Sequence, residues 1–222
     1  MKNKLLYFKI FITFFFSLLF TNTVQSQDFG ANLVSSYVWR GTQFGSGTHI
    51  QPWMKLGKEK SGVLCGGVWG SFPTTANGGG NELDLWVSYD LGPVVITVTN
   101  YSFPNKDGTY GVGNPGLFDV DWMEISGSSE FGPIKLNVGY FTNAEALYVE
   151  TSFPTGPIDI GIGFGSDNKD AFYAGGYSGL VNLSFSGSKK IKISEDYSLP
   201  LFGSFIYNPN NESAFLVFGI NF

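Results

Sequence analysis

The chain has 222 residues, of which 17% are aromatic and only 14% charged. Average chains carry about 25% charged residues, so the composition disfavours an ordinary soluble monomer and fits a protein with one face in lipid. The net charge of −5 argues against nucleic acid as a partner, and the lone Cys65 excludes an internal disulfide.

In chain order the first predicted element is a secretory signal peptide over residues 1–26. Lys2 and Lys4 form a positive start, and an apolar run extends from Leu5 to Phe20, interrupted only by Lys9, Thr13 and Ser17. Val24 and Ser26 occupy the −3 and −1 positions of a cut before Gln27. An uncleaved anchor is the rival reading; the run is short for a span and lacks a basic flank after it. Removing 1–26 takes away three of the 13 basic residues and none of the 18 acidic ones, so the mature chain at 27–222 is more acidic still.

No later stretch reaches the roughly 20 apolar residues of a spanning helix. A mature membrane form therefore has to be a closed barrel, because open strand edges cannot be satisfied in lipid. Three stretches align on a Gly-Pro pair: LDLWVSYDLGPVVITV (83–98), MEISGSSEFGPIKLNV (123–138) and LYVETSFPTGPIDIGI (147–162). Each reads as strand, tight turn and strand, with proline opening the second strand where a missing N–H costs least. One face carries Leu85, Ile96, Ile125, Leu136, Val149 and Ile160, and the other Asp84, Thr97, Glu124, Asn137, Glu150 and Asp159.

A soluble sandwich has the same period with its greasy face inward. Strand lengths near ten residues and alternating link lengths favour the membrane barrel. Short turns fall at 57–62, 91–93, 131–133 and 155–157, and longer links at 73–81, 104–117 and 167–176. The short link at 142–145 and the stretch 187–196 depart from this rule; the latter is either a long periplasmic turn or a strand extension. The expected fold is all-β, an antiparallel transmembrane barrel of about twelve strands with both termini periplasmic. The chain ends AFLVFGINF, with Ala214, Leu216, Phe218, Ile220 and Phe222 on one apolar face. That face points to lipid, and Leu216, Phe218, Ile220 and Phe222 resemble the terminal signal read by the barrel-assembly machinery.

The run SYVWRG (36–41), then Gln51-Pro52, GVWGSF (67–72) and ELDLWVSYDLG (82–92), resembles a TorF-like family of outer-membrane porins, the conserved Gcw type of unknown function. The specific part covers about 60 residues near the N-terminus, and the strand pattern extends it over most of the mature chain. The resemblance implies a signal peptide, a bacterial outer-membrane barrel and passive transport. It supplies no catalytic residues.

Read as one continuous strand, 31–40 places Tyr37 and Trp39 in an outer aromatic girdle and Arg40 in the lumen, either pairing a carboxylate or tuning selectivity. His49 and Lys55 face inward on the next strand. His49 is the only histidine and so the sole candidate base of a barrel hydrolase, with no matched nucleophile beside it. One His and one Cys argue against a zinc site, and no cofactor is expected. The inward carboxylates are Glu82, Asp84, Asp90, Glu124, Glu130, Glu150 and Asp159, against Arg40, Lys55 and Lys135. Charged rings set ion preference, so a pore would favour cations mildly; the same groups can instead pair across a filled lumen. Ser88, Ser126, Ser128, Gly139, Gly161 and Gly163 on that face leave room for a pore. Asp167, Asp170 and the segment 105–109 put acids in outer loops, and the runs at 78–80 and 111–113 are not phosphate loops, lacking a helix and a basic residue.

Three functions follow. The preferred one is passive diffusion of small hydrophilic solutes or ions. The second is a closed barrel acting as a structural or binding protein, and the third a lipid-acting enzyme. Outer-membrane lipid and the assembly machinery are the expected partners.

Overall fold

The computed structural model describes residues 27–57, 61–75, 78–105, 122–166, 173 and 178–222. The predicted signal peptide, Asp167, Asp170 and most of the acidic segment 105–109 lie outside the described residues.

The described chain is all-β. The strands are β1 (Gln27–Val34), β2 (Tyr37–Trp39), β3 (Thr42–Gly45), β4 (His49–Leu56), β5 (Leu64–Pro73), β6 (Glu82–Asp90) and β7 (Val95–Ser102). They continue as β8 (Met123–Phe131), β9 (Ile134–Phe141), β10 (Ala146–Pro154), β11 (Asp159–Ser166), β12 (Gly179–Lys192), β13 (Ser198–Asn208) and β14 (Ser213–Asn221). Twelve of them close an antiparallel barrel, running from β1 through β14 back down to β4, which pairs β1 again. The remaining two, β2 and β3, form a separate hairpin.

The repeats form three of the wall hairpins. The glycine of each Gly-Pro pair takes a positive φ, at Gly92, Gly132 and Gly156, which turns the chain tightly before the proline. The 187–196 stretch is a strand extension: β12 and β13 stay paired as far as Lys192 and Ser198.

Alternation puts the apolar set outside. Ile96, Ile125, Ile134, Ile158, Ile162, Leu216 and Phe218 are all exposed, while Ser88, Asp84, Glu124 and Val217 are buried. Aromatic side chains ring the outside near both ends, with Phe72, Tyr140 and Phe164 toward the long links and Tyr89, Phe131 and Tyr197 toward the short turns. Phe222 ties the seam: its N–H donates to the Ala31 carbonyl at 2.8 Å, and the Ala31 N–H donates to the Phe222 carbonyl at 3.3 Å. Deleting Phe222 removes both bonds, each worth about 0.5–1.5 kcal/mol. The temperature at which the unboiled gel band of the folded barrel is lost is expected to fall by several degrees; an unchanged midpoint would show that the seam does not need them.

The 31–40 segment departs from its expected path. β1 stops at Val34, and the chain turns inward as the β2–β3 hairpin before rejoining the wall at His49. Tyr37 and Trp39 are therefore not girdle residues: Tyr37 is buried, and Trp39 packs on an interior aromatic cluster. The cause is the turn at Arg40-Gly41, where both residues have positive φ, 49° and 77°. Two consecutive positive φ values make the type I′ turn that joins two strands directly. The lumen-facing glycines also serve a different purpose from the one expected. A Cβ on Gly139 would meet the Glu124 carboxylate, and one on Gly163 the Tyr148 hydroxyl. These positions make room for neighbouring side chains rather than for a channel.

Candidate functional site: a plugged lumen under an aromatic cleft

The hairpin tip is held from several sides of the wall. Arg40 makes a two-pronged ion pair with Glu124 of β8: Nη2 donates to Oε1 at 3.0 Å, and Nη1 donates to Oε2. Nη1 also donates to the Tyr173 hydroxyl at 2.6 Å. The guanidinium carbon lies 4.2 Å from the Trp39 ring centre and 4.3 Å from that of Tyr148 on β10, so the cation is sandwiched between two faces. Asn208 of β13 donates from Nδ2 to the Gly41 carbonyl at 3.1 Å. Trp39 reaches Tyr101 of β7 and Phe141 of β9, with ring centres 5.8 and 6.1 Å apart.

The hairpin base is held as well. Tyr37 packs against Trp69 of β5, ring centres 5.5 Å apart. Burial pushes its phenol well above the ordinary range, and the Glu82 and Asp84 carboxylates beside it push the same way. His49 is fully buried, with Nδ1 2.9 Å from the Gly47 carbonyl oxygen and Nε2 3.1 Å from that of Gly79. Both ring nitrogens face backbone carbonyls, so the ring ties the hairpin exit to the β5–β6 link.

The carboxylates of the inner face do not form one ring. Glu82, Asp84 and Glu124 lie buried at the hairpin level. Glu150 lies deeper, accepting from the Tyr148 hydroxyl and, at 2.8 Å, from Asn182 Nδ2. Asp90, Glu130, Lys135 and Asp159 stand at the short-turn end, where Asp90 accepts from the Gly92 N–H at 2.6 Å. The Lys135–Glu130 pair spans 3.4 Å with both side chains largely exposed, and is worth little. Lys55 is half-buried on β4. Leu216 and Phe218 face outward on β14, half-buried Ile220 follows them, and exposed Phe222 lies just past the strand.

Among the described residues, three cavities flank this plug. Toward the short turns lie two of about 530 Å³ each. One is lined by Ser128, Glu130, Lys135, Asn137 and Glu150, and the other by Cys65, Trp86, Ser88 and Asp90. Toward the long links a cleft of about 540 Å³ is walled by Trp39, Phe44, Tyr101, Trp122 and Phe141, with Glu82 among its lining. Sequence reading missed this cleft because its Trp39 and Phe44 come from the hairpin. The one available signal was Arg-Gly after YVW, a turn pair read as strand.

These features define a class: a closed twelve-stranded β-barrel whose lumen is crossed by its own chain. Set against protein-family models and against curated proteins, the sequence matches none.

Proposed function

We propose that this chain is a bacterial outer-membrane barrel closed by its own hairpin, and that it works as a binding barrel with its working face at the long links. The observation that carries this reading is the inward hairpin, whose Arg40 is paired to Glu124 and whose Gly41 is bonded to Asn208 on the far side. The apolar outer surface, Leu216 and Phe218 of β14 included, supports insertion in lipid. Kinship with TorF-like porins belongs to the same reading, with the plug as the feature that sets this chain apart from an open diffusion pore.

A second reading is a narrow channel for small solutes or ions gated by the hairpin. The cavities on the short-turn side favour it, since Glu130, Lys135, Asn137 and Glu150 line one and Ser88 and Asp90 the other.

Planar-bilayer conductance separates the two. The comparison is wild type against a variant in which residues 35–48 are replaced by Asn-Gly. Val34 and His49 are already register partners, so a two-residue turn can join their strands. The closed-barrel reading expects a silent wild type and stable current steps from the variant. Steps from the wild type would overturn it in favour of the channel.

A further inference from the structure

The interior acids are unequally served. Glu124 has Arg40. Glu82 and Asp84, two positions apart on the inner face of β6, are 2% and 6% exposed. Among the described residues no Lys or Arg pairs with either. Glu82 has help from the Tyr37 hydroxyl, Asp84 from the Ser102 backbone, and the two carboxyls hydrogen-bond each other. Still, Glu82 Oε2 and Asp84 Oδ1 are buried without any hydrogen-bond partner. A buried carboxylate oxygen normally has a donor or a counter-charge, so this pair is an incomplete site.

The incomplete pair meets the aromatic cleft. Glu82 lines it, and Trp39, Tyr101, Trp122 and Phe141 supply the walls. Ring faces attract cations, and their bodies take up apolar surface. The volume of about 540 Å³ lies within the range of small-molecule sites. An anion would face the acidic Glu82–Asp84 pair, and a neutral apolar ligand would leave the Glu82 oxygen unserved.

We propose that the cleft binds an organic ammonium ion with an apolar body, its N–H donors completing Glu82 Oε2 and its flat or alkyl part lying against the aromatic walls. The inference deepens the reading of the long-link face as the working face and rests on it.

The test uses the refolded barrel in detergent, titrated by tryptophan fluorescence with phenethylammonium, 2-phenylethanol and 3-phenylpropionate. Saturable binding of the ammonium, with the alcohol and the carboxylate about tenfold weaker or more, is expected. Glu82→Gln, with its fold checked by the heat-shifted gel band, is expected to lose about tenfold in ammonium affinity while leaving the alcohol unchanged. Equal binding of ammonium and alcohol by the wild type overturns the proposal without recourse to any variant, and so does a Glu82→Gln protein of unchanged ammonium affinity. Bilayer current from the same preparation keeps the two claims apart. A silent barrel that ignores the ammonium sinks this inference alone. A conducting barrel that binds it sinks the closed-barrel reading alone.

Discussion

Replacing Arg40 with Ala is expected to unseat the hairpin and turn a silent barrel into a conducting one. The substitution removes both prongs to Glu124, the bond to Tyr173 and the stack between Trp39 and Tyr148. It also leaves Glu124, 3% exposed, without its cation. Breaking one partner out of a buried ion pair costs about 3–5 kcal/mol. Arg40 is further held at φ 49°, a left-handed conformation that costs a non-glycine residue roughly 1–2 kcal/mol. That cost is met only while the tip is docked, so losing the contacts also removes the reason to keep the turn. Current steps in a planar bilayer and a lower heat-shift midpoint are the readouts. Arg40→Lys keeps the charge but not the planar fork, and should fall between wild type and Ala. A silent Arg40→Ala barrel with an unchanged midpoint would show that other contacts hold the plug.

Gly41→Val should be nearly as damaging, for a steric reason. Gly41 sits at φ 77°, and a Cβ there would overlap the Val181 carbonyl oxygen of β12. A β-branched residue in that conformation is strained by roughly 1–2 kcal/mol, and forcing atoms into a filled contact adds about 1–3 kcal/mol. The same carbonyl-bearing tip must still meet Asn208. Gly47→Ala provides the control: its φ is 84°, yet nothing lies within 4 Å of the added Cβ. It should show the backbone share alone. At roughly 2–4 °C per kcal/mol for a chain of this size, the two variants separate clearly in a heat-shift series. Equal midpoints for both would mean that the tip does not press on β12.

The wall of this barrel was legible in the sequence because it rests on local rules. Side chains alternate with period two, so Leu216, Phe218 and Phe222 announce an outward face wherever the strand goes. The Gly-Pro turns mark where strands reverse, and link lengths sort the two ends. Those signals survive without knowledge of any partner strand. They also place Asp84, Glu124 and Glu150 correctly on the inner face.

What the inner face does was settled only by tertiary structure. Alternation states which side of a strand a residue takes, and assumes that the strand continues. At Trp39 it does not, and a turn of Arg40 and Gly41 sends the chain through the lumen. The Arg40 partner lies 84 positions away and the Asn208 contact 167 away, separations that leave no periodic trace. The sequence alone determined a barrel with a greasy outside and a polar inside. Only the folded chain decided that the space left by Gly139 and Gly163 is occupied by Glu124 and Tyr148, because packing across a closed wall depends on register between distant strands.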